Sequence, residues 1–142
     1  MLFGSLRVVI TLSQDLADQM VAHCITGLPD EACGLLGGDH ETGMLSMVYP
    51  VDNVAASARV YTVDPRGHLR ADRDAEDRGL SIVGVFHSHT HTEAYPSPTD
   101  VAQAPDPSWH YVIVSLREIQ AAIRSYRIVD GVITEEQVLI TP

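Results

Sequence analysis

The amino-acid sequence predicts an α/β fold in which a mixed β-sheet is flanked by helices. Stretches rich in β-branched residues alternate with stretches of helical periodicity, and several predicted strand pairs are joined by short polar turns. One continuous apolar run, residues 80–86, is typical of a buried central strand. A length of 142 residues suits one domain spanning residues 1–142.

The first elements are a strand and an amphipathic helix. Residues 6–12 are apolar and β-branched, which predicts a strand. Ser13 is a favourable N-cap residue, and apolar side chains at four-residue spacing predict a helix over 14–26. Gly27 then ends this helix.

The middle of the chain predicts a hairpin, a short strand and a second helix. Residues 31–38 and 44–49 flank a polar turn and predict the hairpin, and residues 59–63 predict the short strand. Asp64 precedes a proline at the first helical position, so a helix begins there and ends near Gly79.

The last third predicts a very short helix and three strands. Ser97 and Asp100 have the spacing of a capping box, with a proline at the first helical position. The three strands that complete the sheet are predicted at residues 111–116, 121–129 and 132–140.

The net charge and the number of cysteines limit which classes of binding partner and which cellular compartment we expect. The net charge is −10 and all nine basic residues are arginines, which disfavours nucleic acid and anionic membranes. Two cysteines imply no disulfide framework and fit a reducing compartment. No apolar run approaches the length of a membrane span, so we expect a cytoplasmic protein without a membrane partner.

The segment after the central strand contains metal-ligand residue types at informative spacing. His87 and His89 are two residues apart, so on a strand both imidazoles point to one side. Asp100 lies in the first turn of the predicted short helix and could complete a set of three zinc ligands, which leaves one position for water. Two such histidines followed by Ser97 and Asp100 would arise by chance about once in 500 chains of this composition.

Two further residues are candidates for the chemistry at such a metal. A water activated by zinc needs a proton acceptor outside the metal ligands. Glu31 is the candidate general base, because its strand could lie beside the strand of His87. A hydroxyl donor near the metal would stabilise a developing oxyanion, and Ser97 is the candidate.

The other histidines and the cysteines favour structural roles. A single histidine is most often structural, and we interpret four of them in this way: His23, His40, His68 and His110. His91 would share a face with His87 only if the strand continued, so we expect it in a loop. Cys33 is more typical of a small core residue than of a nucleophile.

These residues resemble the signature of the JAMM, or MPN-plus, metalloprotease family. That signature is an upstream Glu, then His-x-His, then ten residues and an Asp, with a Ser three residues before the Asp. Here these are Glu31, His87, His89, Asp100 and Ser97. The resemblance implies one zinc ion per chain on the two histidines and the aspartate, Glu31 as general base, Ser97 as oxyanion donor and a fold similar to cytidine deaminases.

Thr90 follows the second histidine where the family commonly has proline. This feature, together with the run RSYRIVDG at 124–131, resembles the actinobacterial Mec branch of the family. The resemblance implies hydrolysis of the amide bond after the C-terminal Gly-Gly of a small ubiquitin-like sulfur carrier protein, with release of cysteine in cysteine biosynthesis.

Two alternatives stay open at the level of sequence. An isopeptidase that removes a ubiquitin-like protein from lysine would break the same kind of bond. A non-catalytic MPN scaffold, a binding module, is disfavoured because the complete set of ligands, Glu31 and Ser97 is present. The sequence does not indicate the oligomeric state or the residues that bind substrate.

Overall fold

The computed structural model describes residues 9–142, and its elements follow the predicted order closely. The part of the predicted first strand that falls on residues 6–8 lies outside the described residues. The elements are β1 Val9–Ser13, α1 Gln14–Gly27, β2 Cys33–Gly38, β3 Leu45–Val51, α2 Pro65–Asp77, β4 Ser81–His89, α3 Pro98–Ala102, β5 His110–Ser115, β6 Ala122–Val129 and β7 Val132–Thr141.

Within residues 9–142, the seven strands form one mixed sheet in the order β1-β7-β6-β5-β4-β2-β3. β1 pairs with β7 and β4 pairs with β5 in parallel, and the other neighbours are antiparallel. The outer strands approach each other, since a parallel bridge joins Thr11 to Met44. The predicted mixed sheet with flanking helices is therefore confirmed.

Both faces of the sheet carry an apolar core. The side chains of the central strand are therefore buried on both sides, and its sequence is a continuous apolar run. On one face, Met20 and Cys24 of α1 pack on the sheet, and on the other the small residues Ala71 and Ala75 of α2 do so. Gly67 brings α2 close to β3, because a Cβ at this position would lie 2.9 Å from Val51. β4 is thus held between two layers, and its last residues define the position of the site.

The predicted strand at residues 59–63 is wrong. These residues form a loop, with one isolated bridge between Asn53 and Val63. The Asn53 side chain provides the physical reason, because its amide nitrogen donates to the carbonyls of Glu31 and Val60 and its oxygen accepts the N–H of Thr62. A side chain thereby supplies hydrogen bonds that a neighbouring strand would otherwise make.

In the part of the chain that the structure describes, none of the helices is long and apolar enough to cross a membrane.

Candidate active site

The carboxyl end of β4 places two histidines on one side of the sheet. His87 and His89 are the seventh and ninth residues of this strand and are only 3% and 5% exposed. β4 is paired on both sides, antiparallel to β2 and parallel to β5, and Cys33 lies opposite His87. The two imidazoles are therefore fixed by a strand that has little freedom to move.

The amino end of α3 brings a carboxylate to the same point. Ser97 Oγ accepts the N–H of Asp100 at 3.0 Å, and the Ser97 N–H donates to Asp100 Oδ2 at 2.9 Å, so the predicted capping box is confirmed. Pro98 occupies the first turn, where its fixed φ suits a helix start. The capping box thus holds the Asp100 side chain, which is 6% exposed, in one orientation.

The three side chains converge on a common centre. Asp100 Oδ2 lies 2.9 Å from His89 Nε2, and Asp100 Oδ1 lies 3.2 Å from His87 Nε2. One ligand atom from each residue falls within 4.8 Å of the other two. The structure therefore brings His87, His89 and Asp100 together as the sequence predicts.

The neighbours of the two histidines orient their rings. His89 Nδ1 lies 2.8 Å from the carbonyl oxygen of Glu93, and donation to this oxygen would leave the Nε2 lone pair for a metal. The ring of Tyr61 stacks on His87, with centroids 4.3 Å apart and an interplanar angle of 21°. A hydrogen bond thus orients the His89 ring, and a stacking contact orients the His87 ring.

The donor set fits a metal ion. His87 Nε2 is buried and lacks a hydrogen-bond partner within residues 9–142, although the Asp100 carboxylate lies close to it. A buried nitrogen of this kind is costly unless it has a further partner, and a metal ion would be one. Two imidazoles and one carboxylate form a three-ligand set of the catalytic type, which leaves a position open.

Burial and the neighbouring side chains shift the pKa values of all three residues. Burial raises the pKa of Asp100, but the nearby imidazoles of His87 and His89 outweigh burial and hold the pKa well below its ordinary value. Burial lowers the pKa of His87, which favours the neutral imidazole that a metal requires. For His89, burial also lowers the pKa, but the hydrogen bond with Asp100 and other contacts raise it overall.

Glu31 lies beside this cluster without belonging to it. Its main chain is fixed, since its N–H donates to the Ser57 carbonyl at 2.8 Å and its carbonyl accepts from Asn53 at 2.9 Å. The side chain is 5% exposed, and Oε1 has no hydrogen-bond partner in the described part of the chain. Burial raises the pKa of Glu31 to about 7, partly offset by the charge of His89. The carboxyl group can therefore exchange a proton near neutral pH.

A cleft of about 390 Å³ opens above these groups. One wall comes from the loop after β3 and the other from the loop after β4. The lining residues are Glu31, Ala58, Arg59, His89, Thr90, His91, Thr92 and Ser97. An extended peptide in this cleft can thus reach Glu31, Ser97 and His89 together.

The structure also locates other residues that the sequence analysis considered. His91 lies outside β4 in an exposed loop, as expected. His110 is fully buried and lies 2.8 Å from Glu136, which fits its structural interpretation. The sequence predicted residues 59–63 as a strand whose edge could receive the carrier's tail, but it gave Tyr61 and Arg59 no individual role at the site. An aromatic residue and an arginine between two turn signals carry no local mark of a site, so only the folded loop reveals them.

The chain is similar to known proteins of one family. Residues 13–129 match the family model described as prokaryotic homologs of the JAB domain. The chain is 44% identical over 131 residues to a Mycobacterium tuberculosis protein named CysO-cysteine peptidase, which covers 92% of this chain and 90% of that protein. It is also 35% identical over 111 residues to the desampylase of Haloferax volcanii, which covers 75% and 80% of the two chains.

Solved structures with a similar fold also match this chain. A protein from Desulfitobacterium hafniense superposes with a TM-score of 0.86 at 38% identity and covers 93% of this chain and 92% of its own. A JAB1/MPN domain protein from Archaeoglobus fulgidus superposes with a TM-score of 0.59 at 18% identity, covering 92% and 99%. This second likeness shows that the fold is shared.

Proposed function

This chain belongs to the family of prokaryotic homologs of the JAB domain, and we propose that this hydrolase removes cysteine from the C-terminal Gly-Gly of a small ubiquitin-like sulfur carrier protein. The released amino acid would complete a route of cysteine biosynthesis. The observation that carries the proposal is the convergence of His87, His89 and Asp100 beside a cleft lined by Glu31, whose Oε1 has no hydrogen-bond partner within residues 9–142.

The names of the relatives support the substrate class. The relative at 44% identity is named for a cysteine adduct of the protein CysO, and the relative at 35% is named a desampylase. The higher identity also extends over a larger share of this chain. This difference favours release of cysteine over release of a lysine-linked tag.

One zinc ion per chain is the proposed cofactor, held by His87, His89 and Asp100. The set of two imidazoles and one carboxylate is a common zinc ligand set in catalytic sites. A zinc ion there would supply Lewis-acid chemistry, polarising a carbonyl group and lowering the pKa of water towards neutrality.

Glu31 is the proposed general base. With a pKa raised to about 7 by burial, its carboxylate can take a proton from the attacking water. The same group can then deliver that proton to the leaving amine of cysteine. Burial and the lack of a hydrogen-bond partner at Oε1 keep the carboxylate available for this task.

Ser97 is the proposed oxyanion donor. Its Oγ already accepts the N–H of Asp100, so its hydroxyl proton remains to be donated into the cleft. A donor that is fixed before reaction stabilises developing charge without reorganisation. The capping box therefore positions a metal ligand and the oxyanion donor together.

The loop before α2 is the proposed docking segment for the extended tail of the carrier. Tyr61 has neither its backbone N–H nor its backbone C=O engaged in any hydrogen bond within residues 9–142. A tail could pair with these groups in the manner of an added strand. Replacing the exposed Thr62 with arginine keeps the N–H that Asn53 accepts and should raise KM for the carrier by crowding its tail, and an unchanged KM would reject this placement.

An isopeptidase is the second candidate, because the relative at 35% identity is named a desampylase. The amide bond is the same in both reactions, and the ligand set does not distinguish them. We further propose that the chain forms one domain and acts in the cytoplasm, where its two buried thiols stay reduced.

Mass spectrometry of a ubiquitin-like sulfur carrier that bears a C-terminal cysteine tests the proposal. We expect the purified enzyme to remove one cysteine mass, and we expect a chelator or the change Glu31→Gln to abolish this loss. A lysine-linked conjugate of the same carrier is the matched comparison. An intact cysteine adduct alongside a cleaved lysine conjugate would replace the first function with the second.

A further inference from the structure

Arg59 lines one wall of the cleft and brings a positive charge to it. Its guanidinium makes no hydrogen bond and no ion pair within the part of the chain that the structure describes. Its backbone is nevertheless anchored, because the Arg59 N–H donates to Ser57 Oγ at 3.0 Å. The backbone of Arg59 is thus anchored, while its guanidinium remains free to bind a ligand in the cleft.

Arg59 differs from the other unpaired arginines in its position. Within residues 9–142, four arginines form ion pairs with acidic side chains and four do not, and the unpaired ones are Arg59, Arg66, Arg70 and Arg73. Among the residues that line the cleft, Arg59 is the one with a permanent positive charge. A cation in this position can select for a substrate that carries an anion near the scissile bond.

We propose that Arg59 binds the α-carboxylate of the amino acid that is released, and so makes the enzyme selective for a single C-terminal residue. This inference rests on the proposed function and deepens it. In a cysteine adduct, the carboxylate is attached to the Cα that follows the scissile nitrogen, so it must enter the same cleft. In a lysine-linked conjugate, uncharged methylene groups occupy the corresponding place.

The chemistry of the guanidinium and carboxylate groups favours a specific contact. A guanidinium offers parallel N–H donors that match both oxygens of a carboxylate, whereas an ammonium acts as a point charge. Ser97 and His89 lie on the same cleft as Arg59, so the carbonyl under attack and the carboxylate can be held at once. Arg59 is therefore a specificity-determining residue of the reaction.

Two matched substrates test this role. One is the carrier ending in Gly-Gly-cysteine with a free carboxylate, and the other is the same carrier ending in cysteinamide. We expect the unaltered enzyme to cleave the acid with a kcat/KM about 10- to 100-fold higher, as a charge-assisted contact of this kind predicts. Arg59→Gln should lose that preference by slowing cleavage of the acid, while cleavage of the amide stays within about twofold.

Arg73→Gln is the control variant, because Arg73 is also an exposed arginine but lies on α2 away from the cleft lining. It should keep the full preference for the acid. Equal cleavage of acid and amide by the unaltered enzyme would overturn the role of Arg59 and leave the proposed function standing. Cleavage of neither substrate by a zinc-loaded enzyme would reject the proposed function itself, and the role of Arg59 with it.

Discussion

The Glu31 side chain is buried, and its Oε1 has no hydrogen-bond partner within residues 9–142. Acidic residues with a structural role rarely show this combination. We predict that Glu31→Gln lowers kcat by roughly 10²- to 10⁴-fold, the usual contribution of a positioned general base. Bound metal should stay near one ion per chain, because Glu31 is outside the group of ligands. Steady-state kinetics and metal analysis measure both quantities, and Asp30→Asn is the neighbouring control. A near-normal kcat would reject Glu31 as the base.

The raised pKa of Glu31 also predicts a pH dependence of stability in the metal-free chain. The folded chain holds this proton up to a pKa of about 7, whereas the ordinary value is 4.5. Between these values the folded state binds more protons than the unfolded state, so the free energy of unfolding falls as pH rises. Glu31→Gln removes this loss and should melt at a higher temperature than the unaltered chain at pH 8, with chelator present. Identical melting curves from pH 4 to 8 would contradict the assignment.

Local sequence indicates the three candidate metal ligands but not the proximity of Glu31 to them. His87 and His89 are two apart on one strand, and Asp100 belongs to a capping box, so their convergence was predictable. Glu31 reaches them only because β2 pairs with β4 in one register, with Cys33 opposite His87. Sequence periodicity suggests such a pairing without fixing it. The roles of the five predicted site residues stay predictions until kinetics test them.

At the scale of elements, α3 owes its position to a single capping box. Ser97→Ala should remove both the cap and the proposed oxyanion donor, so we expect about 1 kcal/mol of lost stability and a loss in kcat of about 10²-fold or more. Ser13→Ala is the matched control, because Ser13 caps α1 through the same kind of hydrogen bond, from the Leu16 N–H. It should cost similar stability and leave kcat unchanged. Equal kcat in both variants would show that Ser97 acts only as a cap.

Strands β5, β6 and β7 enclose a second polar cluster that has no role in the proposed chemistry. Glu136 accepts hydrogen bonds from His110, Ser125 and Arg127, at 2.8, 2.7 and 2.9 Å. Burial raises the pKa of Glu136, but these partners lower it overall. Its contribution to stability is therefore present above the ordinary pKa of 4.5 and is lost as pH falls through the lower folded value.

Removing Glu136 should be costly, because His110 and Arg127 would lose their buried partner. We predict that Glu136→Ala lowers the free energy of unfolding by about 3–5 kcal/mol at neutral pH. Glu135→Ala is the control on the same strand, since its pair with Arg124 at 3.8 Å is exposed and should contribute about 0–1 kcal/mol. Urea unfolding at pH 7 compares the two variants. Similar losses would mean that the buried cluster adds little.

The order of the elements was predictable, and the loop at residues 59–63 was not. Strands and helices carry their own periodicity, whereas this loop depends on hydrogen bonds to the Asn53 amide, which no periodic pattern of the sequence indicates. The same dependence hides Tyr61 and Arg59, because their approach to the site follows from the loop path. Whether residues 1–142 form a single domain stays a prediction.

At the scale of the whole molecule, the site joins segments that are otherwise distant in the chain. β4 supplies His87 and His89, α3 supplies Asp100, and the loop before α2 packs Tyr61 against His87. A metal ion bound only by the folded arrangement stabilises the whole fold, by about 2.7 kcal/mol when its concentration is 100 times the dissociation constant. Chelation should therefore lower the melting temperature of the unaltered chain.

His87→Ala should remove this metal-dependent increment, because two remaining ligands hold the ion far less tightly than three. The variant should contain little metal after dialysis and should melt at the same temperature with and without chelator. His91→Ala is the control, since His91 is an exposed neighbour of the site outside β4 and should keep both the metal and its stabilisation. Calorimetry gives the melting temperature and metal analysis gives the metal content of the same samples, so the two together measure how far metal binding stabilises the fold. Full metal content in His87→Ala would remove His87 from the ligand set, and the proposed hydrolytic centre would have to be rebuilt around other donors.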